Sequence, residues 1–234
     1  MEIFSFKTRL FLEGEDILTF LVDNVKNLEE GDILVITSKI CSLHQYRVAK
    51  LSQKEKIIKN ESLYVLKTPW AFLTKLKKYG WCINAGIDES NANKNIILLP
   101  NDPDNLAKFL CVFLKKKFRL KKLGVVITDT KSLPLRQGTI GRAVGLFGFL
   151  PLKNYIGKKD LFGRKTRYTK SNIVDAIASS AVLLMGEGDE SVPIVLIKNA
   201  PVFFTNKKVS SDLSIDPKND IFRFVYAFSL LNQK

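Results

Sequence analysis

Two adjoining stretches decide the fold class: Ile17-Leu18-Thr19-Phe20-Leu21-Val22-Asp23-Asn24-Val25-Lys26-Asn27-Leu28 and, after Glu29-Glu30-Gly31-Asp32, Ile33-Leu34-Val35-Ile36-Thr37. In the first, Ile17, Leu18, Leu21, Val25 and Leu28 fall close to a 3.6-residue period. Glu13-Gly14-Glu15-Asp16 precedes them, placing negative charge where a helix N-terminus favours it. The second is a short, β-branched apolar run bounded by turn residues, the pattern of a strand buried on both faces. A helix followed by a buried strand predicts a mixed α/β protein of α+β character.

The same pair recurs downstream. Leu106, Phe109, Leu110, Phe113 and Leu114 form one helical stripe between Asp104 and Lys117, and the lysines that follow suit a helix C-terminus. Leu123-Gly124-Val125-Val126-Ile127-Thr128 is the next buried-strand run. It ends in Asp129-Thr130, and polar groups at the end of a buried strand are where α/β sheets hold ligands. From Gly138 to Gly148 the chain reads G-T-I-G-R-A-V-G-L-F-G, a strand whose glycines predict close approach by another backbone. Thr169 or Ser171 is the expected cap of a helix carrying Ile173, Ala176, Ile177, Ala181 and Leu184, stopped at Gly186. A strand over Val192 to Ile197 follows, and residues 221–231 are apolar with helical character. Residues 50–78 are Lys-rich and weakly periodic, and helices are expected there around Thr68-Pro69.

The composition suits a folded body: 234 residues, 46% hydrophobic and 26% charged, exclude disorder and a disulfide-stapled mini-protein. With no repeat, low-complexity tract or linker, residues 1–234 are expected to form a single compact unit with room for two lobes. The three cysteines, Cys41, Cys82 and Cys111, are far apart and odd in number, which fits a reducing cytoplasm and no thiolate zinc site. No apolar run approaches the ~18 residues of a membrane span, and no leader is visible. The net charge of +14 points to anionic partners. Its densest run, Lys115-Lys116-Lys117-Phe118-Arg119-Leu120-Lys121-Lys122, has an ordinary helix-terminal use. No nucleic-acid-binding signature accompanies it, so nucleic acid is not the expected partner.

With one histidine, His44, and no G-x-S-x-G elbow, hydrolase triads are excluded, as are the Rossmann and Walker A loops. Carboxylates concentrate instead in Asn84-Ala85-Gly86-Ile87-Asp88-Glu89-Ser90-Asn91, in Thr128-Asp129-Thr130 and in Met185-Gly186-Glu187-Gly188-Asp189-Glu190-Ser191-Val192-Pro193. Taken alone, each fits a solvated turn. Together they supply the oxygen ligands of a hard cation, Mg²⁺ or Mn²⁺, with Arg136, Arg142, Lys158, Lys159 and Arg164 as positive charge for a phosphoryl group.

The Asn84–Asn91 stretch resembles the N-A-G-I-D-x-S-N motif of the coenzyme F420-0:L-glutamate ligase family, the γ-glutamyl ligases. Further segments match in the family's order: Leu98-Leu99-Pro100 with Asp102-Pro103-Asp104, Val126 to Thr130, Arg136-Gln137-Gly138, Ile156-Gly157-Lys158-Lys159-Asp160-Leu161-Phe162-Gly163-Arg164, and Leu183-Leu184-Met185-Gly186-Glu187-Gly188. The likeness spans residues 81–198, with weaker similarity at 13–16 and 33–42. It implies that family's fold, a homodimer, and GTP with Mg²⁺ or Mn²⁺, K⁺ assisting. It implies phosphorylation of a substrate carboxylate, then amide formation with L-glutamate. Carried over residue by residue, Asp88, Asp129, Thr130 and Glu187 would hold the metal. Asn91 and Met185, Gly186, Glu187 and Gly188 would meet the nucleotide, and Arg136, Lys158, Lys159 and Arg164 would neutralise the transferred phosphoryl group.

Departures are informative. Where the family has L-P-x-I at its guanine site, this chain has Thr8-Arg9-Leu10-Phe11. S-K-A-E-G-R becomes Ser42-Leu43-His44-Gln45-Tyr46-Arg47, placing Leu43 where a phosphate-binding cation would stand, with Lys39 as the substitute. Lys131-Ser132-Leu133 replaces N-G-R, and Asp175-Ala176 replaces D-E. The expected acceptor is therefore an anionic carboxylate, F420-0 or a relative. A folate-type γ-glutamyl acceptor, and a catalytically silent relative that binds a metabolite or nucleic acid, are the alternatives.

Overall fold

A computed structural model describes residues 1–209 and 213–225. Strand β1 (Glu2–Phe6) and helix α1 (Ile17–Asn24) lead into strand β2 (Asp32–Thr37) and helix α2 (Ser38–His44). Strand β3 (Val48–Lys50) and helix α3 (Lys54–Glu61) are followed by strands β4 (Tyr64–Lys67), β5 (Phe72–Leu76), β6 (Gly80–Ile83) and β7 (Asn95–Ile97). The second half runs α4 (Pro103–Phe118), β8 (Leu123–Ser132), β9 (Thr139–Phe147), β10 (Leu152–Asn154), β11 (Lys170–Asn172), α5 (Ile173–Met185) and β12 (Ile194–Lys198).

The mixed α/β expectation holds. Among the described residues, a five-stranded sheet is ordered β1-β12-β2-β8-β9. The pair β2 and β8 is parallel, with Thr37 beside Thr128, and the other pairings are antiparallel. Both central strands are buried throughout their apolar runs, as strands covered on two faces must be. On one face, Leu106, Leu110 and Leu114 of α4 pack with Leu34, Ile36, Val125 and Ile127. On the other, Ile177, Ala178 and Ala181 of α5 pack with Ile33, Val35 and Val126.

The glycine-spaced stretch is β9, and its glycines make the close approaches their spacing predicts. A Cβ on Gly141 would stand 2.4 Å from the Ala178 carbonyl oxygen of α5, and one on Gly145 would stand 2.4 Å from the Pro103 carbonyl oxygen of α4. The two helices thus clamp β9 from opposite faces at van der Waals range, which only glycine permits.

Several expectations are corrected. Thr68-Pro69 starts no helix. It forms the turn between β4 and β5, where the Thr68 amide donates to the Ala71 carbonyl at 2.9 Å, because Pro also suits the second position of a β-turn. Strands β4, β5 and β6 form an antiparallel meander built on Tyr64, Val65, Phe72, Leu73 and Trp81, whose β-propensity outweighs the intervening lysines. The first helix stops at Asn24, and Leu28 is buried from beyond it. On α4, Phe109 is exposed, and Ala107 and Cys111 complete the buried stripe. Asn172, not Thr169 or Ser171, caps α5, its side chain accepting the Asp175 amide. Gly186 ends that helix with φ +72°. The expected helix over 221–231 lies mainly outside the described residues. No helix among the described residues is long and apolar enough to cross a membrane.

Candidate active site

The parallel pairing of β2 and β8 puts both strand ends at one place. Ser38, the first residue after β2, donates its hydroxyl to Asp129 Oδ1 at 3.3 Å. Next to it, Lys39 Nζ lies 2.9 Å from Asp88 Oδ2 and donates to Ser90 Oγ at 2.8 Å. Asp88 is held in the backbone by Ile97, each amide donating to the other's carbonyl at 2.9 and 2.8 Å, and Asp88 Oδ1 accepts the Ser90 amide at 2.7 Å. One dipeptide, Ser38-Lys39, therefore ties together two carboxylates from segments about forty residues apart.

Burial pushes the Asp129 carboxyl up to about 6. The Arg142 charge, the Thr130 amide and the Ser38 hydroxyl oppose that rise, while the nearby Asp88 charge adds to it. Two neighbouring carboxylates, one of them desolvated, favour a cation beside them, and oxygen donors suit a hard one. Asp88 and Asp129 are the pair that could hold it, with the half-buried Thr130 next along β8. Glu187 stands differently: its carboxylate accepts the Thr139 hydroxyl of β9 at 3.1 Å. Among the described residues, no three Asp, Glu, His or Cys side chains converge on one point.

The third acidic stretch forms a wall. Asn91 Nδ2 donates to the Gly188 carbonyl at 2.8 Å, across 97 positions of sequence. The Gly188 amide in turn donates to Glu190 Oε2 at 2.8 Å. The Thr8 amide donates to the Ser191 carbonyl at 2.9 Å, and that of Thr37 to the Pro193 carbonyl at 3.0 Å. These bonds close a cavity of about 230 Å³ lined by Thr8 to Phe11, Thr37, Lys39, Leu43, Asn91 and Met185 to Pro193. Both segments that the resemblance ties to the nucleotide thus share one cavity. Lys39 lines it together with Leu43, the residue whose missing charge it was expected to replace.

A second cavity, of about 280 Å³, opens along the outer edge of β9, lined in part by Lys78, Asp104, Lys131, Arg142 and Asp175. Arg142 is the cross-strand neighbour of Asp129, and only 6% of its surface is exposed. Its Nη1 donates to the Tyr79 carbonyl at 2.9 Å, and its guanidinium lies 5.6 Å from the centroid of the Tyr79 ring.

The remaining predicted residues lie elsewhere. Arg136, Lys158, Lys159 and Arg164 are exposed and line neither cavity. Lys158, Lys159 and Arg164 belong to an arm between β10 and β11, where Lys158 Nζ sits 5.5 Å from the centroid of the Tyr155 ring. His44 is structural, its Nδ1 2.9 Å from the Glu15 carbonyl oxygen. Sequence reasoning gave no role to Ser38 or Thr139. The polar Ser38 directly after a buried strand was the one available signal.

Geometry thus defines a class: a mixed α/β protein with one carboxylate, Asp129, just past the parallel pairing of β2 and β8, a second, Asp88, brought to it from the loop before β7, and a small cavity on either side. Comparison then narrows it. Residues 54–199 match the family model described as F420-0:Gamma-glutamyl ligase, and the chain belongs to that family. It is 34% identical to the coenzyme F420:L-glutamate ligase of Methanocaldococcus jannaschii, over 95% of this chain and 97% of that one. Identity to the enzyme of the same name from Methanococcus maripaludis is 33% at the same coverage. For that of Archaeoglobus fulgidus it is 35%, over 82% of this chain and 85% of the relative.

Proposed function

We propose that the chain is a nucleotide-dependent γ-glutamyl ligase, GTP being the nucleotide, that joins L-glutamate to a carboxylate of F420-0 or a closely related acceptor. Family membership and the relatives' names support the amide-forming class. The observation that carries the site assignment is the shared cavity of Thr8 to Phe11 and Met185 to Gly188, opening at Lys39 beside Asp88 and Asp129.

In this reading the nucleotide occupies that cavity, with its phosphates toward Lys39 and the Gly186 and Gly188 backbone. Gly186 shapes the wall through its φ of +72°, a conformation that a side chain would strain, while the Glu190 carboxylate beside it could swing aside. A divalent cation, Mg²⁺ or Mn²⁺, would be held by Asp88 and Asp129 with the Thr130 hydroxyl, and when bound it would neutralise the phosphates. K⁺ belongs to the same reading as an assisting ion. An acceptor carboxylate oxygen bonds to the terminal phosphorus as the bridging P–O bond breaks and nucleoside diphosphate departs. The glutamate nitrogen, after losing a proton from its ammonium, bonds to the acyl carbon, the C–O bond to phosphate breaks, and the nitrogen sheds a second proton to leave a neutral amide. Asp88 and Lys39, both bonded to Ser90, and Asp129, bonded to Ser38, keep the reacting groups in register, the arrangement through which positioning lowers such barriers.

The test is direct. Purified protein with GTP, Mn²⁺, L-glutamate and F420-0 should yield an acceptor heavier by one glutamyl unit in mass spectrometry, and Asp129→Asn should not. A folate monoglutamate run in parallel reports the alternative acceptor. Nucleotide binding without any glutamyl gain would instead identify a silent relative.

A further inference from the structure

We infer that the cavity at the outer edge of β9 is the subsite for the amine-donating dicarboxylate, and that Arg142 receives one of its carboxylates. This rests on the ligase reading above and adds to it a location and a residue.

Position is the first argument. Asp129 has the nucleotide-side residues Thr37 to Lys39 on one flank, while its cross-strand neighbour Arg142 and its strand neighbour Lys131 line the other cavity. A reaction that brings a phosphorylated carboxylate and an amine together at one cation needs two subsites on opposite sides of it.

Charge is the second. Both acids in the β9 cavity are already committed. Asp104 pairs with Lys78 and accepts the Leu146 amide at 3.0 Å. Asp175 accepts the Ala143 amide at 2.9 Å and Asn172 Nδ2 at 2.8 Å. These bonds cap the free edge of β9, and among the described residues no acid is ion-paired with Arg142 or Lys131, which feel the charges of Asp129 and Asp175 without a direct bond to them. Arg142 Nε and Nη2 are buried without a hydrogen-bond partner among the described residues, and a buried unmet donor is costly, the more so when it is charged. Those two nitrogens form the side of the guanidinium that meets a carboxylate through two parallel hydrogen bonds. With Nη1 fixed on Tyr79, the fork is oriented in advance. Lys131, half-buried on β8, supplies a second positive charge for a dianion.

Size is the third. At about 280 Å³ the cavity lies just under the ~300 Å³ lower end for drug-sized ligands, a size that suits an amino acid.

The experiment varies L-glutamate at fixed GTP, Mn²⁺ and acceptor for the wild type, Arg142→Lys and Lys131→Met. Arg142→Lys should raise KM for L-glutamate about tenfold, since lysine cannot make the bidentate pair. Its KM for nucleotide and acceptor should stay within about twofold, and its preference for L-glutamate over L-glutamine should narrow. Lys131→Met, which removes no buried hydrogen bond, should raise the same KM about threefold with thermal unfolding unchanged, so a folding defect in the Arg142 variant does not decide the matter. A raised KM for the acceptor alone would assign the cavity to the acceptor and overturn the inference. So would a fall in kcat with every KM intact, which would mean that Arg142 acts only on Asp129. L-glutamate should also raise the melting temperature of wild type holding Mg²⁺ and a non-hydrolysable GTP analogue, and not that of Arg142→Lys. That shift without any amide product would support the subsite while refuting the ligase reading; neither shift nor product would overturn both.

Discussion

The end of β2 and β8 and the arm between β10 and β11 both carry family-like motifs, yet they are built in opposite ways. Around the strand ends, bonds between residues distant in sequence fix the side chains: Ser38 to Asp129, Lys39 to Asp88, Asn91 to Gly188, Thr139 to Glu187. The arm bonds to itself. Gly157 donates to Thr166, Thr166 to Lys158, Asp160 to Arg164 and Gly163 to Asp160 through their backbones, and Leu161 and Phe162 are 99% and 95% exposed. Two motifs of similar chemical character therefore mark one place knit together by long-range bonds and another whose cations stay remote from the cavities of the same chain. A shared motif locates chemistry; long-range contacts decide where that chemistry is assembled.

The sharpest way to break this contrast is Asp129→Asn. Activity should fall by about a hundredfold or more, in line with removal of a preorganised electrostatic group. Stability should move the other way. The Asp129 carboxyl titrates at about 6 in the folded chain against an ordinary 3.8, so between those values the folded state binds more protons than the unfolded one. Stability from this group thus falls as pH rises through that window, and the full cost persists above about pH 6. Without added divalent cation, Asp129→Asn should therefore melt higher than wild type at pH 8, and the difference should shrink toward pH 4. Added Mn²⁺ should raise the wild-type melting temperature at pH 8 and leave the variant unmoved. A variant that melts lower at pH 8 would make Asp129 a structural residue.

Glycines sharpen the same contrast. In β9, a Cβ at Gly145 collides with the Pro103 backbone at 2.4 Å, whereas at Gly163 in the arm nothing lies within 4 Å. Gly145→Ala should cost about 3 kcal/mol or more, because α4 must move away from the sheet. Gly163→Ala should cost only about 1 kcal/mol, through its φ of +81°. Denaturant unfolding of the two variants measures the difference, and equal losses would remove the distinction between a clamped strand and a self-contained arm.

How much of this was legible beforehand follows the same division. Runs such as Ile33 to Ile36 and Val125 to Ile127 announced themselves because a strand covered on both faces has no polar position, and the β9 glycines because close approach leaves no other residue. The Asn84–Asn91 and Met185–Gly188 segments were readable as site material, but not their meeting, which depends on Asn91 reaching Gly188. The β4 to β6 meander escaped because its lysines mask the alternation of its apolar residues. Arg142 was visible only as one cation among several suited to phosphate. Its burial arises from Tyr79 and from its register against Asp129, neither of which is encoded near it.

The smallest effect on the isolated chain is expected from the arm, and it bears on assembly. The family resemblance implies a homodimer, and we propose the arm as its contact. Adjacent apolar side chains as exposed as Leu161 and Phe162, flanked by Lys158, Lys159 and Arg164, are poorly explained as free surface. Docked against a second copy, they would carry those cations toward the partner's nucleotide cavity. Leu161→Asp with Phe162→Asp should leave the unfolding free energy of the chain within about 0.5 kcal/mol, as surface substitutions do. Light scattering should then show the mass falling to that of one chain, and glutamyl transfer should fall with it, while Arg164→Ala should reduce transfer at unchanged mass. A wild type of single-chain mass, or a double variant that stays dimeric, would place the interface elsewhere. The arm cations would then be solvated charge, and the site would be complete within the residues gathered at the ends of β2 and β8.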